Sequence, residues 1–118
     1  MSYDIELLDP ITKKRIVFDS MHEMRGGTYQ MGGTNDAWLN ITYNYSPHYR
    51  RAFGAGGIRT LYGMTGAESM PLLRTAIGIL DDDVDPNYWT ATEGNAKRAL
   101  CQLLAMAQMR PDGVWNGY

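Results

Sequence analysis

The N-terminal half of the chain has the two-residue periodicity of β-strands. In residues 3–7 apolar side chains alternate with aspartate and glutamate, and residues 15–18 end in a β-branched and aromatic run. Because Asp9-Pro10 favours a turn, these two segments predict a first hairpin. Residues 28–31 and 37–45 predict a second hairpin, whose turn is supplied by the glycine-rich sequence between them.

The C-terminal half has helical periodicity, and its first helix is short. Ser46-Pro47 predicts the helix start, because serine caps a helix and proline favours its first position. The glycines within residues 54–57 end that helix, and residues 58–62 are expected to form a short strand or an extended link.

Two longer helices follow. The first of them has two possible starts, because residues 65–68 match a capping box but Pro71 is tolerated only in a first helical turn. We therefore expect a turn over residues 65–68 and a regular helix from about residue 69 to residue 80. The last helix is predicted to begin at the capping box of residues 90–93 and to stop at Pro111. Its apolar stripe comprises Ala96, Ala99, Leu100, Leu103, Leu104 and Ala107.

Strands that precede helices in this way predict a single α+β domain over residues 1–118. We expect a small antiparallel sheet from the N-terminal half, with two to three helices from the C-terminal half packed on one face. The C-terminal residues 114–118 are expected to dock on their own domain or on a neighbouring molecule.

The alternation in residues 37–45 assigns their side chains to two faces of one strand. The core face comprises Leu39, Ile41, Tyr43 and Tyr45. The opposite face comprises Trp38, Asn40, Thr42 and Asn44. Two interpretations of this opposite face stay open: a solvated surface with polar cross-strand pairs, or a surface whose neutral donors and acceptors meet a ligand.

A basic helix start follows this strand directly. Free amides at a helix N-terminus attract anions, and the helix after Ser46 carries a histidine and two arginines in its first turns. A nucleotide-like anion is therefore predicted as ligand, with Trp38 or Tyr45 stacking on it and arginines meeting its phosphates. The candidate ligand-binding residues are Trp38, Asn40, Thr42, Asn44, Tyr45, His48, Arg50, Arg51 and Arg59. In the alternative interpretation, Arg50 and Arg51 are simply exposed helix residues.

Neither a metal nor a cofactor is expected. Residues 81–85 match the start of a calcium-binding loop, but Pro86 and Thr92 stand where that loop requires glycine and glutamate. No catalytic residues are assigned, and Cys101 is expected to be a buried structural thiol of the last helix.

Composition and charge limit the partners and the compartment. The net charge of −2 argues against a broad electrostatic grip on duplex DNA. Cys101 is the single cysteine, and the sequence shows neither a signal peptide nor an apolar run of the roughly 18 residues that span a membrane. We therefore expect a cytoplasmic protein that does not bind membranes. Its eight tyrosines, three tryptophans and eight methionines favour contacts between copies, so a homo-oligomer is expected.

Several segments resemble small uncharacterised proteins encoded by phages and prophages. The resembling segments are MRGGTY, AWLNITYNY, IRTLYGMTGAES and the stretch from TEGNAKRAL to MRPDG. The resemblance implies a protein of the host cytosol that binds a host protein or sequesters a signalling nucleotide of host immunity.

Three functional hypotheses follow. The first is a small non-catalytic anti-defence protein that sequesters a nucleotide-type signalling ligand. The second is a protein–protein inhibitor of a host factor that uses the aromatic and acidic surfaces. The third is a nucleotide-cleaving enzyme with His22 or His48 as its base.

Overall fold

The computed structural model describes residues 1–22 and 34–117, and the side chains of residues 1–19 and 35–117. Its strands are β1 (Ser2–Leu8), β2 (Val17–His22), β3 (Thr34–Asp36), β4 (Trp38–Thr42) and β5 (Val114–Gly117). Its helices are α1 (Ser46–Phe53), α2 (Gly66–Ile79) and α3 (Glu93–Met109), with 3₁₀ helices at Tyr43–Tyr45 and Gly57–Leu61. The predicted α+β class is therefore confirmed.

Strand β1 lies at the centre of a three-stranded antiparallel sheet with the order β4-β1-β5. The predicted alternation of β1 is confirmed, because Tyr3, Ile5 and Leu7 are buried and the residues between them are partly exposed. Residues 2–6 of β1 pair with β4, and residues 5–8 pair with β5. Both edges of β1 are therefore occupied.

The third strand of this sheet is the C-terminal segment, so the sheet is not drawn from the N-terminal half alone. Trp115 in β5 is 1% exposed, and its indole Nε1–H donates to Ser69 Oγ in α2 at 2.8 Å. The outer edge of β5 pairs with the chain before α2, because the Trp115 amide donates to the Met64 carbonyl at 2.9 Å. Of the two alternatives predicted for this segment, the structure shows docking on its own domain.

The first predicted hairpin is wrong beyond its turn. The Asp9 carboxylate accepts the backbone N–H groups of Ile11 and Thr12, which closes a tight turn, and one isolated bridge joins Leu8 to Arg15. Strand β2 then pairs with β3 in a separate two-stranded sheet. The physical reason is that β4 and β5 already occupy both edges of β1.

The second predicted hairpin also has a different partner. Residues 28–31, its predicted first strand, lie outside the described residues, and β3 occupies part of the predicted turn. Strand β4 pairs with β1, which is distant in sequence. The chain changes sheets at Ala37, whose N–H donates to the Ile16 carbonyl at 2.9 Å and whose carbonyl accepts the Leu7 N–H at 3.0 Å.

Helix α1 begins at Ser46-Pro47, but the prediction that Ser46 caps it is wrong, because Tyr45 holds the N-cap position and no side chain caps the helix. Helix α2 begins earlier than predicted. Thr65 Oγ1 accepts the Glu68 N–H at 3.1 Å, and Glu68 Oε1 accepts the Thr65 N–H at 2.9 Å, so the capping box is complete and the helix starts at Gly66. Pro71 lies inside the helix and is exposed, so its predicted place in the first turn is wrong, and it has no N–H to donate to the Ala67 carbonyl. Residues 58–62, predicted as a strand or a link, fall largely within the 3₁₀ helix Gly57–Leu61.

Helix α3 begins after Thr92, whose Oγ1 accepts the Asn95 N–H at 3.1 Å. The predicted stripe is buried except for Leu104, which is half-buried against the core. Cys101 is exposed, which corrects the prediction of a buried thiol. It follows Leu100 by one residue, and one residue turns about 100° around a helix, away from the buried stripe.

One hydrophobic core joins the inner face of the sheet to the helices. Its members include Tyr3, Ile5, Leu7, Leu39, Ile41, Tyr49, Leu73, Leu100 and Leu103. The helices therefore cover the face of β1 that carries Ile5, and the opposite face carries Asp4 and Glu6.

Candidate functional site

The predicted polar strand face ends earlier than its sequence pattern. Strand β4 stops at Thr42, where Thr42 Oγ1 accepts the Asn44 N–H at 3.2 Å and caps the 3₁₀ helix Tyr43–Tyr45. Asn44 is therefore not on the strand face with Trp38 and Asn40, which corrects the assignment of the four residues to one surface.

Trp38 and Asn40 do share the outer face of the sheet, and both donate to the same carboxylate. Asn40 Nδ2 lies 2.9 Å from Asp4 Oδ1, and Trp38 Nε1 lies 3.3 Å from that atom. Asn40 Nδ2 also donates to Ser2 Oγ at 2.8 Å. These contacts confirm polar cross-strand pairs on this face, and they place a negative charge where a phosphate-bearing ligand was predicted.

The other predicted residues contact residues 81–92, which we call the acidic loop. Asn44 Nδ2 donates to the Trp89 carbonyl at 2.9 Å, and the buried Tyr45 hydroxyl donates to the Tyr88 carbonyl. The ring nitrogen Nε2 of His48 lies 2.7 Å from the Ala91 carbonyl oxygen, an acceptor. Three of the residues predicted to contact a ligand therefore bind the backbone of the protein's own loop.

A buried asparagine holds the same loop from the side of α3. Asn95 is 2% exposed, and its Oδ1 accepts the Asp85 N–H at 3.1 Å. Its Nδ2 donates to the carbonyls of Asn87 at 3.1 Å and Thr90 at 3.0 Å. The amide group of Asn95 thus makes three hydrogen bonds to loop backbone, which fixes a segment that has no regular secondary structure.

Charged side chains of α1 and α3 complete this framework. Glu93 Oε1 accepts the Asp81 N–H at 3.0 Å and forms an ion pair with Arg51. The hydrogen bond from the Asp81 amide lowers the pKa of the Glu93 carboxyl, and Arg51 lowers it further. Lys97 Nζ donates to Asp82 Oδ1 at 2.6 Å. Glu93 and Lys97, both in the first turns of α3, therefore bind the start of the acidic loop.

The acidic loop exposes apolar and acidic side chains, together with the neutral polar residues Asn87 and Thr90. Val84 is 49% exposed and Trp89 is 51% exposed, and the Trp89 ring packs edge-on against Tyr88 at a centroid distance of 4.9 Å. The carboxylates of Asp82 and Asp83 are also exposed. The loop therefore exposes an indole, an isopropyl group and aspartate carboxylates.

The three candidate arginines lie apart from the strand face. The Arg59 guanidinium carbon lies 5.0 Å from the Tyr3 ring centroid and 5.6 Å from that of Tyr43, and Nη2 donates to the Tyr43 hydroxyl at 3.0 Å. The nine predicted residues therefore do not form one site: Trp38 and Asn40 lie on the outer sheet face, and Arg59 stacks on two tyrosines. The residues that contact the acidic loop are Thr42, Asn44, Tyr45 and His48. Arg51 pairs with Glu93, and Arg50 is exposed on α1.

The buried tyrosines near the loop are neutral hydrogen-bond donors at neutral pH. Burial raises the pKa of Tyr45 and holds that of Tyr49 well above its ordinary value. The Tyr49 hydroxyl donates to the Ala96 carbonyl in α3 at 2.9 Å. Both phenols therefore serve to anchor α1 and the preceding turn to the loop and to α3.

Sequence reasoning missed Asn95, Val84 and the structural role of Trp89. Asn95 stands in a predicted helix, where an asparagine indicates an exposed polar position. The available signal was the long stretch of aspartate, asparagine and threonine before α3, because an ordered loop of that length needs side-chain partners for its backbone groups.

Among residues 1–19 and 35–117, no three histidine, cysteine, aspartate or glutamate side chains meet as a metal site. In the same part of the chain, no helix is both long enough and apolar enough to cross a bilayer. Comparison with protein-family models, with curated proteins and with solved structures finds no match. The resemblance to phage-encoded proteins therefore stays an expectation.

Proposed function

We propose that the protein acts by binding a partner protein through the acidic loop. One observation carries this proposal: a loop without regular secondary structure is hydrogen-bonded from α1 and α3, while its Trp89 and Val84 side chains remain half exposed. Ordering a loop before binding reduces the entropic cost of association, and exposed tryptophan is a frequent centre of protein interfaces.

The chemistry of the loop indicates the kind of partner. The loop carries four aspartates, Asp81, Asp82, Asp83 and Asp85, in the same segment of chain as Val84 and Trp89, and Asp82 is paired with Lys97. A partner surface with an apolar pocket for Trp89 and a rim of lysine or arginine is complementary to it. This proposal is the second of the functional hypotheses, in which the protein inhibits a host factor. That the protein is encoded by a phage is part of the same proposal.

Sequestration of a nucleotide-type ligand stays a prediction with weaker geometric support. The strand face that was predicted to contact the ligand binds the carboxylate of Asp4, which repels a phosphate. Two of the three arginines lie on α1, and Arg51 is already paired with Glu93. The stack of Arg59 on Tyr3 and Tyr43, a cation beside aromatic rings, is the observation that supports sequestration.

The proposal is tested by affinity capture from bacterial lysate with the wild-type protein, Trp89→Ala and Ile11→Ala. Ile11 is 87% exposed in the turn after β1 and serves as the matched apolar control outside the loop. We expect a stoichiometric partner with the wild type and Ile11→Ala. Its affinity for Trp89→Ala should be weaker by about 30-fold, the size of a typical interface hot spot.

Two results would contradict the proposal. A partner retained equally by Trp89→Ala would place the interface elsewhere. Calorimetry that detects a cyclic dinucleotide or ADP-ribose-type ligand, with binding lost in Arg59→Ala and kept in Trp89→Ala, would favour sequestration. Sedimentation of the wild type and Trp89→Ala measures whether the partner is a second copy of this chain.

A further inference from the structure

The outer face of the three-stranded sheet carries a cleft of about 360 Å³, which we call the Trp38 cleft. Its lining includes Asp4, Glu6, Arg15, Asp36, Trp38 and Asn116. The register of the sheet produces it, because Glu6 lies opposite Trp38 on β4 and opposite Asn116 on β5. An indole wall and acidic side chains of β1 are thereby brought to one place.

Strand β1 gives the Trp38 cleft two carboxylates, those of Asp4 and Glu6, against the one guanidinium of Arg15, so these three side chains carry a net negative charge. Asp4 and Glu6 are two residues apart on one strand, so they point to the same face and their charges repel. The groups that donate to Asp4, the Trp38 indole and the Asn40 amide, are neutral. They stabilise its negative charge without cancelling it, so the cleft attracts cations and repels phosphates.

Arg15 shows which kind of cation fits. Its guanidinium carbon lies 5.7 Å from the centroid of the Trp38 ring, within the range of a cation–π contact. Its Nη2 lies 3.8 Å from Glu6 Oε2, which is too long for a hydrogen bond. The Arg15 side chain is 40% exposed. A guanidinium thus already stands over the indole, held by ring contact and charge rather than by a hydrogen bond to Glu6.

We propose that the Trp38 cleft binds the guanidinium group of an arginine side chain from a partner polypeptide, which replaces Arg15 over the Trp38 ring. A planar guanidinium stacks on an indole and also matches a carboxylate with two parallel N–H groups, which an incoming arginine can direct at Glu6. This site is separate from the acidic loop, and the proposal does not depend on the partner of that loop.

The test uses N-acetylarginine amide as the probe and its neutral isostere, N-acetylcitrulline amide, as the control ligand. The readout is the NMR signal of the Trp38 indole N–H, which reports on one of the three tryptophans and on its contact with Asp4. The proteins are the wild type, Arg15→Gln, and Arg15→Gln combined with Trp38→Leu. Both substituted positions are at least partly exposed, and amide spectra verify that each variant is folded.

We expect the arginine probe to bind Arg15→Gln more tightly than the wild type by about threefold or more, because the internal competitor is gone. The citrulline probe should bind between about threefold and thirtyfold more weakly than the arginine probe, the span of a cation–π contact. Trp38→Leu should reduce arginine binding by a similar factor, measured on the Asn40 side-chain amide.

Three outcomes overturn the proposal. The first is no shift of the indole signal in Arg15→Gln at high probe concentration. The second is equal binding of arginine and citrulline probes. The third is equal or tighter arginine binding by the wild type, which would show that Arg15 does not occupy the position. Adenosine monophosphate, added as an anionic ligand, should leave the signal unchanged.

Discussion

The acidic loop and the Trp38 cleft contain the same kinds of residue, but the asparagine of each region binds different groups. Each has a tryptophan beside several carboxylates, and each depends on a buried asparagine, Asn95 for the loop and Asn40 for the cleft. In the loop, the asparagine binds backbone groups and the tryptophan points outward. In the cleft, the asparagine binds the side chains of Ser2 and Asp4.

The difference follows from the backbone. Strands β1 and β4 pair their own N–H and carbonyl groups, so side chains on the sheet are left to bind one another or a ligand. The loop has no such ladder, so side chains of α1 and α3 must satisfy its backbone groups. We therefore expect changes around the loop to affect folding, and changes in the cleft to affect recognition.

The largest effect is expected for Asn95→Ala. The substitution removes three hydrogen bonds and leaves the Asp85 N–H and two carbonyls without that partner, so unfolding free energy should fall by about 3 kcal/mol in urea titration. Asn95→Asp keeps the acceptor for Asp85 and loses both donors, so it should also destabilise. A loss below about 1 kcal/mol for Asn95→Ala would show that the loop does not depend on this side chain.

Gly94→Ala should destabilise by about 1–3 kcal/mol, because a Cβ at this position would lie 2.6 Å from the Asp83 carbonyl group and push the loop away from α3. Gly78→Ala in α2 is the matched control. No atom lies within 4 Å of its added Cβ, so thermal unfolding should show a gain of about 0.5–1 kcal/mol from helix propensity. If both changes stabilise, the close packing of the loop on α3 is wrong.

Asn40→Ala sharpens the comparison from the side of the cleft. It removes hydrogen bonds to Ser2 and Asp4 that are partly accessible to water, so we expect a loss of about 1 kcal/mol, smaller than for Asn95→Ala. Amide hydrogen exchange within the acidic loop should not change. Faster exchange at Asp85 or Thr90 would mean that the two regions are coupled.

The smallest effect is expected for Glu93→Gln, and it should depend on pH. The pKa of Glu93 is lowered by the hydrogen bond from the Asp81 amide and by Arg51, so its carboxylate contributes stability above the ordinary pKa of about 4.3. That contribution is lost as the pH falls through the lowered value. The wild type should therefore exceed Glu93→Gln in stability at pH 7, and the difference should vanish in strong acid.

Exchange of the Asp81 amide proton provides the local control for this pH dependence. The pKa of Glu68 is also lowered, by the backbone and side chain of Thr65 in the capping box of α2. Glu68→Gln should therefore have an acid-sensitive effect on stability but leave Asp81 exchange unchanged. An equal response at Asp81 in both variants would show that Glu93 does not hold the loop.

The elements confirmed from sequence are those with strong local signals. Alternation in residues 3–7 identified β1, and the apolar stripe identified α3. The predicted capping box of residues 90–93 was wrong, because Thr92 caps the helix and Glu93 accepts the Asp81 N–H. The start of α2 was misplaced because Pro71 was given more weight than the capping box of Thr65 and Glu68, and the structure accommodates both. Local rules fail where two of them compete.

The candidate site was less predictable because it depends on contacts between distant residues. The sequence named Asn44 as a hydrogen-bonding group, Tyr45 as a stacking ring and His48 as part of a basic helix start, but in the structure all three bind carbonyl groups about 40 residues further along the chain. Alternation alone could not show that β4 ends at Thr42, since that end is set by a local hydrogen bond and by Tyr88 docking on the strand.

The sequence by itself determined the α+β class, the central strand β1 and the amphipathic helix α3, because hydrophobic periodicity and capping act over a few neighbouring residues. Only the tertiary structure decided which strands flank β1, because competition for its two edges involves both ends of the chain. The tertiary structure also decided that the polar residues after β4 bind the acidic loop, because buried backbone groups take the nearest donors and acceptors in space, whatever their distance in sequence.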